Sequence, residues 1–237
     1  MAPFAAEPRM MTLEKRPIRS FVRREGRMTP AQRDALATLW PAYGITPEKD
    51  QLADFKSIFC REAPLVCEIG FGMGESLATM AKALPEFNFL GVEVHRPGVG
   101  HLMTRLAEDE LHNVRIIQQD AVEVLRDFIP AGCLDKVLLL FPDPWPKKRH
   151  HKRRIVAPGF LSLVHTALVP GGHLHMATDW QEYAEHMMQE VSADQRFKNV
   201  AGQQAYSPRP EYRPLTKFER RGLRLGHSIY DLIFARL

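Results

Sequence analysis

Glu68, Glu93, Asp120 and Asp143 are the side chains in this sequence best suited to chemistry. Each lies in, or just beyond, a short apolar run of the kind that forms a buried strand. The first run, Leu65-Val66-Cys67-Glu68-Ile69, leads into Gly70, Gly72 and Gly74 before Glu75-Ser76-Leu77 opens a helix. Glycines at those positions let the backbone turn sharply and approach a ligand closely, and strand, glycine turn and helix together mark a nucleotide-type cofactor site. Glu93 ends the run Phe-Leu-Gly-Val-Glu about 20 residues further on, where a carboxylate can accept both hydroxyls of a ribose. Asp120 ends Ile-Ile-Gln-Gln-Asp and suits the exocyclic amine of adenine. Capping the helix that begins at Ala121 is compatible with that role.

The glycines alone leave the cofactor open, and Glu93 serves any ribose, that of NAD included. A dinucleotide fingerprint needs glycine or alanine at position 75, which is Glu, and the carboxylates of Glu68 and Glu75 repel a pyrophosphate. No acid or base for hydride transfer stands out. S-adenosylmethionine carries a sulfonium and an ammonium against one carboxylate, so the same acidic side chains favour it. The spacing Glu68-x-Gly70-x-Gly72-x-Gly74 resembles the first motif of the Rossmann-like methyltransferases.

Asp143 belongs to Phe141-Pro142-Asp143-Pro144-Trp145-Pro146-Lys147-Lys148, directly after another apolar run. Three prolines fix φ and bias the preceding residues toward extended backbone, which predicts a rigid loop at the sheet's C-terminal edge. An aromatic ring beside a carboxylate suits a flat base: Trp145 offers stacking and Asp143 meets positive charge on the attacking nitrogen. A plain proline turn with Trp145 packed into the core is the alternative.

Composition narrows the partners. The 237 residues are 45% hydrophobic and 25% charged, ordinary for a soluble globular protein, and no apolar run reaches membrane-spanning length. The N-terminus lacks a secretory apolar region, and Glu7 and Glu14 argue against a transit peptide. Cys60, Cys67 and Cys133 have neither zinc-ligand spacing nor an obvious pairing, so no metal is expected and a reducing cytoplasm fits. The net charge of +4 is mild but clustered. Residues 147–154 hold six Lys/Arg and two His with no acid, residues 1–27 hold seven Lys/Arg against three Glu, and residues 207–225 hold six against two. Basic segments on a neutral-to-acidic body predict a polyanion partner. No obligate protein partner is evident, and monomer or homodimer stays open.

The elements needed to hold these residues follow from periodicity. Residues 1–28 read as a basic, flexible extension, and residues 29–237 as one domain with N-terminal helices at about 29–60. Thr29-Pro30-Ala31-Gln32 carries capping-box residues, and a second helix is predicted from Thr46-Pro47 with Leu52, Phe55, Ile58 and Phe59 on one face. Strands are predicted at 66–69, 87–92, 114–118, 134–141, 172–178 and 228–234, with helices near 75–84, 97–111, 121–129, 155–168 and 180–193. That rhythm implies an α/β fold: a mostly parallel sheet with helices on both faces, and a last strand that follows a loop and pairs antiparallel at the edge.

Taken together, Glu68-Ile-Gly-Phe-Gly-Met-Gly, Gly91-Val-Glu93, Asp120-Ala, Phe141 through Arg154, Thr178-Asp179-Trp180 and Thr216-Lys-Phe-Glu219-Arg-Arg resemble the bacterial tRNA (guanine-N7)-methyltransferases. The likeness covers most of residues 60–237, with Ile18-Arg-Ser-Phe-Val-Arg-Arg extending it upstream. It implies a Rossmann-like class I fold and methylation of the variable-loop guanine of tRNA, position 46 in tRNA numbering. S-adenosyl-L-methionine would contact Glu68, Gly70, Gly72, Glu93, Asp120 and Asp143. Lys147, Asp179, Thr216, Lys217, Phe218 and Glu219 would bind the substrate, with Arg149, His150, His151, Lys152, Arg153 and Arg154 along the RNA. Asp143 is the expected catalytic group, and Glu219, in a closing loop, would accept from the guanine's Watson–Crick N–H groups. A methyltransferase for a small molecule or protein leaves the basic segments idle, and a non-catalytic RNA binder would not need the carboxylates.

Overall fold

An eight-stranded sheet carries every predicted strand in the computed structural model, which describes residues 19–21, 26–215, 217–224, 226 and 228–237. Most of the predicted basic extension (residues 1–18 and 22–25) lies outside the described residues, as does Thr216. The strands are β1 (Gly44–Ile45), β2 (Leu65–Ile69), β3 (Asn88–Val92), β4 (Val114–Ile117), β5 (Leu134–Leu140), β6 (Leu168–Thr178), β7 (Phe197–Asn199) and β8 (Tyr230–Arg236). The helices are α1 (Pro30–Thr38), α2 (Trp40–Tyr43), α3 (Phe55–Phe59), α4 (Glu75–Ala83), α5 (Arg96–Glu108), α6 (Ala121–Asp127), α7 (Pro158–Ala167), α8 (Gln181–Ser192) and α9 (Lys217–Arg224).

The sheet order is β1-β4-β3-β2-β5-β6-β8-β7. β1 to β6 pair in parallel, and β8 is antiparallel to both of its neighbours. From β2 the chain winds outward to β3 and β4, then returns to β5 on the other side. Order therefore reverses between β2 and β5, and a crevice opens at their C-terminal ends. Side chains alternate along the strands with a period of two. Val66, Phe89, Ile116 and Leu138 share one buried cluster with Leu77 of α4 and Leu102 of α5. Cys67, Leu90, Val137 and Leu139 share the other with α6, α7 and α8.

Local signals explain most boundaries. Thr29 Oγ1 accepts from Gln32 N at 3.2 Å and Gln32 Oε1 accepts from Thr29 N at 2.9 Å, so the predicted capping box forms. The helix predicted from Thr46 does not form. Asp50 takes φ +60, Ala53 N donates to Phe128 O at 2.9 Å, and only α3 is helical, capped by Asp54 and leaving Leu52 exposed. The last strand pairs antiparallel as predicted, but it is not the edge. The three-residue β7 lies outside it, and α9 rather than a plain loop precedes it. β1 and β7 escaped the sequence reading because two or three residues carry no periodic signal. Among the described residues no helix is long and apolar enough to cross a membrane, and no cluster of His, Cys, Asp or Glu is placed to hold a metal ion.

Candidate active site

The crevice holds a cavity of about 220 Å³ lined by Gly70, Glu93, Asp120, Phe141 and Asp143, among others, and roofed in part by Ser20 and Phe21. Gly70 in its wall begins the turn after β2, where Gly70, Gly72 and Gly74 all take positive φ, between +60 and +78. The start of α5 is pressed onto this turn: a Cβ on Gly98 would stand 1.9 Å from Gly72 O.

The carboxylates differ in how they are held. Glu93 is fixed by three backbone donors, with Val94 N and His95 N at 2.6 and 2.9 Å from Oε1 and Gly72 N at 2.9 Å from Oε2. The strand end and the glycine turn are thereby locked together. Asp120 caps α6 by accepting from Val122 N at 3.0 Å, and burial pushes its carboxyl upward. Glu68 is only 2% exposed and its Oε2 finds no hydrogen-bond partner. Burial, and then the charge of Glu93, pushes it up to about 8. Glu68 is not among the residues lining the cavity, whereas its neighbours Ile69 and Gly70 are. A buried carboxyl group whose Oε2 has no partner among the described residues, next to a cavity lined by Glu93, Asp120 and Asp143, fits a ligand that brings its own positive charge. S-adenosylmethionine meets that requirement and a pyrophosphate does not.

The loop after β5 departs from the predicted one in detail. Phe141 N donates to Ala177 O of β6 at 2.7 Å, while Phe141 and Trp145 take the left-handed φ values +53 and +46. Such backbone in non-glycine residues persists where surrounding contacts impose it. Asp143 is exposed at the cavity rim. Trp145 is neither a core residue nor an open stacking platform. Its Nε1 donates to Ser20 O at 3.1 Å, His150 meets its ring edge-on, and the Arg153 guanidinium carbon lies 5.1 Å from the ring centroid.

The basic run forms a 3₁₀ helix, Lys148–Arg153, led by the exposed Lys147. Lys148, Arg149 and Lys152 are exposed, His150, His151 and Arg153 are half-buried, and Arg154 is 6% exposed. Arg154 donates to Pro144 O at 3.0 Å and to Glu182 Oε1 at 3.2 Å, with its guanidinium over the Tyr183 ring. The structure thus separates Arg154, turned inward to brace the Asp143 loop, from the exposed members of the run. Asp179 stands half-buried just beyond β6.

Thr216 and the side chains of Lys217 and Phe218 lie outside the described residues. Glu219 sits on α9 rather than in a closing loop. It is 3% exposed and receives Arg213 Nη1 and Nη2 at 2.5 and 3.2 Å. Arg213, which the charge count assigned to a basic surface segment, is itself buried. Neither Arg213 nor Ser20 and Phe21 stood out from the sequence as site residues; the only signal was that Ser20 and Phe21 fall inside the upstream stretch Ile18–Arg24.

Known proteins resemble this chain in sequence and fold. A family model described as "Putative methyltransferase" matches residues 62–232. The tRNA (guanine-N(7)-)-methyltransferase of Hydrogenovibrio crunogenus is 55% identical over 223 residues, 94% of this chain and 92% of that protein. Its namesake from Alcanivorax borkumensis is 56% identical over 222 residues, 93% of this chain and 92% of that one. Among solved structures, the 16S rRNA methyltransferase KamB superposes with a TM-score of 0.58 at 15% identity, covering 78% of this chain and 94% of that one, a likeness of fold.

Proposed function

This chain belongs to the tRNA (guanine-N(7)-)-methyltransferase family, and from that premise we propose how its residues methylate guanine N7 in tRNA, at the variable-loop guanine numbered 46 in tRNA. The methyl donor is S-adenosyl-L-methionine, which supplies a methyl group on a positively charged sulfur. Glu93, held rigid by three backbone N–H groups, takes the ribose hydroxyls, and Asp120 takes the adenine amine. Glu68 supplies negative charge to the cationic end. The observation that carries this reading is its buried Oε2, which has no hydrogen-bond partner among the described residues.

Guanine N7 already presents an in-plane lone pair, so no residue has to remove a proton to expose it. S-adenosylmethionine would supply the methyl group, and its arrival on N7 would leave positive charge on the imidazole ring of the base. The protein's contribution is alignment, plus a negative group near that ring. Asp143, exposed at the mouth of the cavity, is that group. Lys147 and Asp179, which follow the parallel neighbours β5 and β6, hold the nucleotide, and the exposed Lys148, Arg149 and Lys152 follow the phosphate backbone. Residues 29–237 act as one catalytic unit together with Ser20 and Phe21 of the upstream segment, and a tRNA substrate fits work in the cytoplasm.

Incubating the protein with unmodified tRNA and methyl-labelled S-adenosylmethionine, then cleaving reduced RNA with aniline, tests this reading. A single cut at position 46, abolished when that guanine is replaced by adenine, is the expected result. Label at another atom or in protein alone would overturn it.

A further inference from the structure

A large apolar ring stands at the rim of the crevice, partly open to solvent. Trp180 is 39% exposed. The other two tryptophans bond their indole N–H groups within the chain, Trp40 to Thr46 Oγ1 and Trp145 to Ser20 O. Trp180 has no such bond, and no aromatic or cationic side chain meets its ring among the described residues. Tyr206, also exposed, differs: its ring packs on that of Tyr230, with centroids 4.9 Å apart.

Backbone contacts fix where the Trp180 ring stands. Ala177 pairs in register with Leu140, and its carbonyl holds the N–H of Phe141, which lines the cavity. Just beyond Ala177, Trp180 N donates to Thr178 Oγ1 at 3.2 Å, and Trp180 O accepts from Tyr183 N and Ala184 N at 3.0 Å each as α8 begins. One guanidinium spans the gap to the Asp143 loop: Arg154 binds Pro144 O at 3.0 Å and Glu182 Oε1 at 3.2 Å. Pro144 follows Asp143, and Glu182 lies in the helical turn that Trp180 caps, so ring and loop are neighbours on one rim. Trp180 is not among the residues lining the cavity, which places it beside the mouth rather than inside.

Guanine N7 in helical RNA faces a deep, narrow groove, so a base stacked there cannot reach a methyl donor held in a crevice. The target has to leave its stack, and the base next to it is left with one face bare. An aromatic side chain is a sequence-tolerant replacement, since every base offers a flat π face. The surroundings of Trp180 favour a base over a phosphate. Asp179 precedes it and Glu182 follows it, whereas the exposed cations Arg149 and Lys152 belong to the 3₁₀ helix that ends at Arg154. Phosphates are drawn to that helix, which leaves the carboxylate-flanked ring for a base.

We propose that Trp180 is a substrate-binding residue that stacks on the unpaired base next to the target guanine, in place of the neighbour that base loses when the guanine enters the site. This rests on the function proposed above and adds a contact with a second nucleotide.

Steady-state methylation with paired changes in protein and tRNA tests it. Trp180→Leu keeps apolar bulk without a ring. It should raise KM for tRNA about 5–100-fold with kcat nearly kept, because stacking holds the substrate before and during transfer alike. Trp180→Phe keeps a ring and should stay within about threefold of the parent. S-adenosylmethionine Kd by titration calorimetry and the urea unfolding midpoint should hold in both variants, since Trp180 belongs to neither the cavity wall nor the buried core. On tRNA made abasic at the nucleotide before or after the target, the parent itself should bind more weakly at one of the two positions. There the Trp180→Leu penalty should vanish. A penalty that persists on both abasic tRNAs would put the ring on the target guanine, or on no base, and overturn the proposal. An unchanged KM in Trp180→Leu would overturn it too, and loss of self-association in sedimentation would then make the ring a contact between copies of this chain. Methylation of intact tRNA by the parent protein tests the function itself, independently of these ratios.

Discussion

The indole N–H of Trp145 donates to the carbonyl oxygen of Ser20 at 3.1 Å, across 125 residues of sequence. The loop that carries Asp143 is thereby fastened to the segment whose Ser20 and Phe21 line the cavity. Arg19 in the same segment reaches Glu123 of α6 at 3.7 Å, an exposed pair that contributes little by itself. Trp145→Phe removes the donor and keeps an aromatic ring. One hydrogen bond contributes about 0.5–1.5 kcal/mol, so S-adenosylmethionine Kd should rise about 2–10-fold by titration calorimetry. An unchanged Kd would mean that the roof plays no part in holding the cofactor.

The turn beneath that cavity tolerates no added carbon at Gly98, because a Cβ there would meet Gly72 O at 1.9 Å. Gly98→Ala must push α5 away from the glycine turn and disturb the Glu93–Gly72 bond. Stability should fall by about 1–3 kcal/mol in urea unfolding, and cofactor affinity should fall with it. Gly159→Ala, on α7 with nothing near its would-be Cβ, serves as the control that should leave both unchanged.

Those two predictions show what a linear reading can and cannot reach. The glycine turn, Glu93 and Asp120 were legible because each is set by its own strand end, where residue type and spacing suffice. The surroundings of Trp145 are not legible in the sequence, because its partners Ser20 and Arg153 are brought to it by folding and no periodicity announces them. Arg154 and Arg213 read as surface charge in the sequence for the same reason. A charge run in sequence says nothing of which member finds a buried carboxylate, and here Glu182, Glu219 and Asp231 decide it. α9 reads as a loop because its eight Arg-rich residues hold few apolar side chains, and its anchoring includes a buried ion pair.

The same distinction predicts opposite salt behaviour within the basic run. Arg149→Ala and Lys152→Ala remove exposed cations, so the dependence of log tRNA affinity on log salt should flatten by about 0.7–0.9 per lost phosphate contact. Arg154→Met should leave the slope unchanged. It instead frees Pro144 O and should cost about 1–2 kcal/mol of stability by urea unfolding. A flattened slope for Arg154→Met would put that guanidinium on the RNA.

Glu68 makes cofactor binding pH-dependent. Its carboxyl is pushed up to about 8 in the free protein, against an ordinary value near 4.5. The folded protein therefore holds a proton there that the unfolded chain releases, so free-protein stability declines as pH rises from about 4.5 to 8. A cationic ligand favours the carboxylate, so affinity for S-adenosylmethionine should increase across pH 6 to 8, with proton release on binding. Calorimetry in buffers of different ionisation enthalpy reads that proton directly. Glu68→Gln should bind weakly at every pH and release none. Binding by the parent protein without proton release would show that Glu68 does not face the cationic end.

Asp143 separates charge from shape. Its loop is braced at Phe141, Trp145 and Arg154, none of which depends on the Asp143 carboxylate, so Asp143→Asn should preserve the backbone. What it removes is a negative charge beside a base that becomes cationic in the transition state. Removing one such electrostatic partner costs about 10²–10³ in rate. Single-turnover methylation at saturating cofactor should slow by that factor, while tRNA affinity stays within a few-fold. Asp143→Glu restores the charge at a displaced position and should recover part of the rate. If Asn and Glu variants were equally slow, placement of the carboxylate would matter more than its charge. If Asn were as fast as the parent, the positive charge on the purine would have to be met elsewhere along the rim.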